Sequence, residues 1–172
     1  MLDTDSCISA NRRAVAEFLA AAESVPSSGW TEPVAPGKWS PAQIAEHVAI
    51  SYEVATRALQ GDRTMGSAPR FLRPIVRAFG FSGVLKRGAF PKAMKGPPIF
   101  APSAEHPSLG ASRLRLEHAA AAFEAMAREL AAAGSDTFEH VFFGRVRVAD
   151  YVRYSELHAL HHLAQLPLSH PS

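Results

Sequence analysis

Cysteine and long apolar runs are scarce in this sequence of 172 residues, and each shortage excludes a class of protein. The single cysteine, Cys7, cannot form an internal disulfide and excludes a zinc site built from several thiolates. A reducing compartment suits such a chain, so we expect a cytoplasmic protein. No apolar run approaches the about 20 residues that a bilayer-spanning helix needs, so we expect no membrane span. The N-terminal segment MLDTDSCISANRR places acids before any apolar stretch, unlike a signal peptide.

Acidic side chains are nearly missing from one stretch, and the net charge of +2 hides this asymmetry. Between Gly61 and Ala104 there is one acid, Asp62, and the eight basic residues are Arg63, Arg70, Arg73, Arg77, Lys86, Arg87, Lys92 and Lys95. The stretch could be a lid that presents Arg70, Arg73 or Arg77 to an anionic substrate or cofactor. It could also be a surface for nucleic acid or anionic membrane, or simply a solvated charged loop. No DNA-binding motif accompanies it, which argues against nucleic acid.

Alternating runs long enough to predict a β-strand are also missing, whereas helical periodicity is clear in four segments. The predicted helices cover residues 5–25, 40–60, 108–133 and 148–166. The second has the clearest start, with Ser40 as N-cap, Pro41 at the first helical position and Gln43 completing a capping box. Amphipathic helices of this length predict an all-α fold, a four-helix bundle forming a single domain over residues 1–172.

The connection between the second and third predicted helices, residues 61–107, is unusually long. It holds seven of the 13 prolines and six of the 11 glycines of the chain. It also holds many aromatic and aliphatic side chains, which disordered segments usually lack. We therefore expect an ordered Pro/Gly-rich crossover that packs across the bundle and forms a lid or a pocket wall.

Histidines are concentrated near the C-terminus, where YSELHALHHLAQL contains three of the eight. On a helical wheel His158 and His162 fall together beside the apolar arc, and His161 falls farther round. An i, i+4 pair lies about 5–6 Å apart at Cβ and can converge on one metal ion. His47 takes the same flank of the second predicted helix, and neighbouring bundle helices lie about 8–10 Å apart. The alternative is that these are ordinary hydrogen-bonded or helix-dipole histidines.

Two longer motifs resemble a known family. KWSPAQIAEHVAISYE resembles the second-helix signature of the DinB/YfiT-like superfamily, and FEHVFFGRVRVADYVRYSELHALHHLAQL resembles its C-terminal signature. IFAPSAEHPS is similar to the family's crossover. The resemblance implies a four-helix bundle with a long crossover after the second helix, and a divalent metal held by His47, His158 and His162. Characterised members include thiol-dependent S-transferases and a mycothiol-dependent isomerase, and dimers are common among them, so we expect a homodimer.

Three neutral imidazoles leave coordination positions open, as in catalytic zinc sites, and zinc and nickel both suit imidazole. An open position can lower the pKa of a bound water or thiol. The expected function is thus a metal-dependent S-transferase using a low-molecular-weight thiol, or a hydrolase, acting on a small molecule. Ser51, Tyr151 and Ser155 are the candidate catalytic groups on the histidine flank. The competing hypothesis is a non-catalytic metal-binding bundle that recruits a partner through its basic crossover.

Overall fold

The computed structural model describes residues 3–64, 66, 69, 71–91, 96–103 and 105–167. In chain order the helices and strands are α1 (Thr4–Glu23), α2 (Pro41–Leu59), α3 (Arg73–Val76), α4 (Gly83–Arg87), α5 (Leu109–Ala132), β1 (Thr137–His140), β2 (Gly144–Arg147) and α6 (Val148–Leu163). A π-helical turn, Arg77–Ser82, joins α3 to α4, and single 3₁₀ turns cover Ser27–Gly29 and Pro98–Phe100. Each predicted helix overlaps one of the four long helices, with ends displaced by no more than three residues.

The four long helices form a bundle whose core runs along their shared faces. α1 packs mainly against α6 and α5, and α2 packs mainly against α5. The largest fully buried side chains include Phe18, Tyr52, Leu116 and Phe123, which come from three of these helices. Each such apolar side chain contributes about 1.5–3 kcal/mol when it leaves water. No helix of the described residues is long and apolar enough to cross a bilayer.

Side-chain caps begin three of the four long helices. The Ser40 hydroxyl accepts from the Gln43 N–H of α2, and Gln43 Oε1 accepts from the Ser40 N–H, so the predicted capping box is complete. Asp3 and Ser108 accept from backbone N–H groups in the first turns of α1 and α5. A cap of this kind stabilises a helix by about 1 kcal/mol, so local sequence determines where these three helices begin.

The start of α6 is different, because its N-cap residue Arg147 makes no side-chain cap bond. The first residue, Val148, instead donates its N–H to the Asp136 carbonyl at 2.9 Å. Asp136 immediately precedes β1, so this bond spans the whole β1–β2 hairpin. The hairpin therefore sets where α6 begins.

The hairpin itself was not predicted from the sequence. β1 and β2 pair antiparallel, with Phe138 opposite Val146 and His140 opposite Gly144. Strands of four residues are too short for a period-two pattern to stand out from chance. Gly144 follows the three-residue connection with φ of +69°, in the left-handed region that favours glycine.

His140 is a buried histidine that holds this hairpin together. Its Nδ1 accepts from the Phe142 and Phe143 N–H groups at 3.1 and 3.3 Å. Its Nε2 therefore carries the proton of the neutral ring and faces the Tyr151 hydroxyl of α6 at 3.3 Å. Burial lowers the pKa of His140 to about 4. The imidazole is thus a neutral structural element that joins the hairpin turn to α6.

We expect His140→Asn to weaken the dependence of stability on pH. Below pH 6.5 the unfolded chain protonates this imidazole while the folded chain keeps it neutral down to about pH 4, so stability falls as pH falls. The imidazole contributes up to about 1.4 kcal/mol per pH unit to that slope. Asn retains an acceptor near the Nδ1 position but cannot titrate. Urea unfolding between pH 4 and 7 measures the slope.

The matched control is His118→Asn, which removes an exposed imidazole from α5 and should keep the wild-type slope. Equal slopes for wild type and His140→Asn would contradict the assignment of His140 as a neutral buried group.

Candidate metal centre

Three histidines from two helices meet at one point in the bundle. His47 lies on α2, and His158 and His162 lie one turn apart on α6. The Nε2 atom of His158 is 3.2 Å from Nε2 of His47 and 3.1 Å from Nε2 of His162. The ligand atoms of all three lie within 4.8 Å of one another. The structure thus brings together the three residues that helical phase and family resemblance predicted as metal ligands.

Hydrogen bonds on the far side of two rings decide which nitrogen faces the centre. His47 Nδ1 lies 2.6 Å from the Phe100 carbonyl oxygen, which can only accept, so Nδ1 carries the proton. His162 Nδ1 lies 3.0 Å from Gln165 Oε1 and donates in the same way. Both neutral rings therefore present an Nε2 lone pair toward His158. This is the outer hydrogen bonding that fixes the tautomer of metal-binding histidines.

The two nitrogen separations from His158 fit a divalent transition-metal ion, and the third pair of ligand atoms lies within 4.8 Å. Two imidazoles bound tetrahedrally at about 2.0–2.1 Å place their nitrogens about 3.3 Å apart, close to the separations from His158. A proton on His158 Nε2 could satisfy only one of the two facing lone pairs, whereas a cation accepts all three. Among the described residues the candidate ligand group consists of these histidines alone, with no carboxylate. A set of three imidazoles suits zinc or nickel.

Burial keeps the three rings neutral, as ligands must be. It lowers the pKa of His162 to about 3 and, with the neighbouring His162 and His47 rings, lowers the pKa of His158 well below its ordinary value. The pKa of His47 is also lowered by burial, although the bond to the Phe100 carbonyl acts in the opposite direction. Each of the three neutral rings therefore has one nitrogen lone pair available at neutral pH.

Comparison with known proteins agrees with this architecture. The family model of the DinB superfamily matches residues 10–166. The chain belongs to the DinB superfamily. Two solved structures share the four-helix bundle. TT2238, described as a four-helix bundle protein, is 20% identical with a TM-score of 0.59, covering 94% of this chain and 96% of that one.

The second similar structure is YfiT from Bacillus subtilis, described as a probable metal-dependent hydrolase with an unusual four-helix bundle topology. It is 18% identical with a TM-score of 0.55, covering 95% of this chain and 83% of that one. At such identities these two likenesses establish the shared fold. A search of curated proteins found no match.

A buried carboxylate next to His47 anchors the crossover of this DinB-type bundle. Glu46 Oε2 accepts from the Ser103 N–H at 3.0 Å and from the Ser103 hydroxyl at 3.1 Å, and Oε1 pairs with Arg115 at 3.3 Å. Ser103 lies three residues after Phe100, whose carbonyl holds His47. We therefore assign Glu46 a positioning role through the crossover. Glu46 is next to His47 in the sequence, but its partner Ser103 lies 57 residues away and no helical pattern reveals it.

The three hydroxyls predicted as catalytic candidates are engaged elsewhere. Ser51 donates to the His47 carbonyl at 2.8 Å, and Ser155 donates to the Tyr151 carbonyl at 3.1 Å, both along their own helices. The Tyr151 hydroxyl faces His140, and burial raises its pKa above the ordinary value. Within the described part of the chain, no hydrogen bond joins these hydroxyls to a ring nitrogen of the three histidines.

The three arginines predicted to face a cofactor, Arg70, Arg73 and Arg77, differ in their contacts. Arg77 donates to the Arg145 carbonyl of β2 at 2.6 Å, which ties the crossover to the hairpin. Arg73 begins α3 and is half-buried. Arg70 lies outside the described residues.

His161 gains a role that helical phase alone did not suggest. Its Nε2 lies 3.0 Å from Gln165 Nε2, and Gln165 Oε1 holds His162. The amide of Gln165 thus joins the His162 ring to the His161 ring. The glutamine after H-x-x-x-H was visible in the sequence, but its two partners depend on side-chain geometry.

We expect Glu46→Gln to lower zinc affinity about tenfold, the lower end of effects seen when residues that orient metal ligands are changed. The neutral amide weakens the bonds to Ser103, so the Phe100 carbonyl holds the His47 ring less firmly. Competition with a chromophoric chelator measures the affinity.

Glu53→Gln is the matched control, because Glu53 pairs with the same Arg115, but its side chain is 41% exposed and is bonded to no crossover residue in the described contacts. Equal loss in both variants would place the effect at Arg115 and contradict the role of the Glu46–Ser103 contact.

Proposed function

We propose that this DinB-superfamily protein is a metal-dependent hydrolase of a small molecule, with one zinc or nickel ion held by His47, His158 and His162. The observation that carries the proposal is the convergence of the three Nε2 atoms, two of them with lone pairs fixed by the Phe100 carbonyl and Gln165. The description of YfiT as a probable metal-dependent hydrolase supports the reaction class.

The ion, when bound, would supply Lewis acidity that lowers the pKa of a coordinated water or thiol. The protein's part is to keep the three imidazoles neutral and oriented; among the described residues no other side chain joins them, which leaves coordination positions open. Aromatic rings limit water around the site: Trp39 lies 4.8 Å from the His47 ring and Phe90 lies 5.2 Å from the His158 ring. A partly dry site strengthens each electrostatic interaction within it.

A thiol-dependent S-transferase is the second candidate, and one observation favours it. Among the described residues no carboxylate joins the three histidines, and the nearby hydroxyls are engaged with helix carbonyls or His140. Hydrolysis usually requires a positioned base that removes a proton from water. A low-molecular-weight thiol already ionised at the metal would attack an electrophile without such a base.

An interaction role is the non-catalytic alternative. The crossover leaves the side chains of Phe71, Ile75 and Phe79 exposed by 78%, 56% and 74%, at four-residue intervals within its basic stretch. Apolar side chains in such a setting are common at binding surfaces. In this alternative the metal site is structural, and changing Arg73 and Arg77 together to alanine would affect partner binding rather than turnover.

Purified protein is expected to contain one zinc or nickel ion per chain. Because each ligand supplies one of three protein bonds, His47→Ala, His158→Ala and His162→Ala should each lose stoichiometric metal. Elemental analysis by mass spectrometry measures the content, and zinc at 100 times Kd should stabilise the metal-free wild type by about 2.7 kcal/mol. His118→Ala, which removes an exposed imidazole, should retain wild-type metal. Full metal content in the three variants would refute the site.

The two reaction classes separate in the metal-loaded protein. For a hydrolase, 4-nitrophenyl acetate should release 4-nitrophenolate without added thiol, at least tenfold faster with wild type than with His158→Ala. For an S-transferase, cysteine should add a thiolate-to-metal band to the cobalt-substituted protein and accelerate displacement of chloride from 1-chloro-2,4-dinitrobenzene. Metal binding with neither reaction would favour the interaction role.

A further inference from the structure

A cavity of about 680 Å³ adjoins the three-histidine centre. Its walls come from the turn before α2, from the segment after α4 and from one face of α6. The lining is mainly apolar, with Trp39, Ile44, Phe90, Leu157 and Leu160 among its side chains. The volume lies within the range of about 300–1,000 Å³ that is typical of small-molecule sites.

Two aromatic side chains belong both to the cavity wall and to the surroundings of the histidines. The Trp39 ring lies 4.8 Å from the His47 ring and 6.4 Å from the His162 ring. The Phe90 ring lies 5.2 Å from the His158 ring. A molecule in the cavity would therefore be separated from the centre by no more than one side chain.

The cavity carries a small number of polar groups in this apolar wall. Gln165 accepts from His162 through Oε1, so its amide N–H₂ donates to His161 Nε2 at 3.0 Å. The neutral His161 ring then keeps Nδ1–H as a donor. Lys38 is the one charged residue among the described residues of the lining. The polar lining thus offers donors and positive charge.

We propose that this cavity binds the non-reacting body of the substrate, and that the substrate combines a flat apolar group with an anionic or hydrogen-bond-accepting group. The rings of Trp39 and Phe90 would pack against the apolar part of the substrate. His161 and Lys38 would donate hydrogen bonds to its anionic or accepting group. Trp39 is 38% exposed, so part of its ring is open to a molecule in the cavity. The inference rests on the proposed function, since it takes the histidine centre as the reacting end of the same substrate.

Tryptophan fluorescence provides a direct measurement because the two indoles differ. Trp39 lines the cavity, whereas Trp30 is buried and donates its Nε1–H to the Pro107 carbonyl at 2.8 Å. Phenylacetate is the probe, and acetate is the comparison with the same charge and no ring. We expect phenylacetate to change the emission saturably in both metal-free and zinc-loaded protein, and acetate at equal concentration to leave it unchanged. Trp39→Phe should abolish the change while keeping an aromatic wall.

Ala164→Phe places a ring in the cavity and should weaken phenylacetate binding at least tenfold with no change in metal content. Ala133→Phe is the matched control, since Ala133 caps α5 as Ala164 caps α6, both side chains are exposed, and Ala133 lies outside the cavity. Circular dichroism verifies that both variants fold.

Phenylacetate binding that is absent from wild type, or equal in the two phenylalanine variants, would overturn the cavity proposal even if the metal site is confirmed. Conversely, phenylacetate binding by a protein that takes up no zinc or nickel would support the cavity and remove the proposed function.

Discussion

The hydrogen bond from His47 Nδ1 to the Phe100 carbonyl links the crossover to the histidine centre. It determines the tautomer of His47, and with it the direction of the lone pair that faces α6. The carbonyl is available at this place because Ser103 is fastened to Glu46, the residue just before His47. One turn of α2 therefore holds both His47 and Glu46, which anchors the segment that orients the His47 ring. These two contacts restrict the orientation of the His47 ring even if the rest of the crossover is not rigid.

Two groups of buried histidines serve different ends in this bundle. His140 uses both nitrogens within the protein, accepting from the hairpin turn and facing Tyr151. His47 and His162 use only Nδ1 in that way and leave Nε2 toward His158. Burial lowers the pKa in both groups, so the direction of the shift does not separate a structural histidine from a ligand. The distinction is that His47 and His162 each keep one ring nitrogen, Nε2, that faces the other histidines, whereas both nitrogens of His140 contact other parts of the protein.

Much of the bundle follows from local signals in the sequence. The capping box at Ser40 and the i, i+4 spacing of His158 and His162 are properties of single helices, and their physical rules act over a few residues. His47 could be added because its phase on α2 matches theirs and because bundle helices pack at short distances. The sequence motifs also pointed to the superfamily that the comparison establishes.

Other parts depend on contacts between distant segments, which periodicity cannot report. The Glu46–Ser103 bond joins residues 57 apart, and the hairpin strands are only four residues long. The cavity is the space left between three segments of the chain, so it has no sequence pattern of its own. The candidate catalytic hydroxyls were predicted from their helix faces, yet a serine on a helix can equally donate to the carbonyl one turn earlier, as Ser51 and Ser155 do.

The missing side-chain cap of α6 has a consequence for how this protein can vary. Because Val148 is bonded to Asp136 across the hairpin, the position of the first turn of α6 is fixed relative to the residue before β1. A length change between those two residues would have to be absorbed without displacing α6, or it would move His158 and His162 relative to α2. The hairpin thus acts as a fixed spacer, and natural variation in loop length should accumulate in other connections of the bundle.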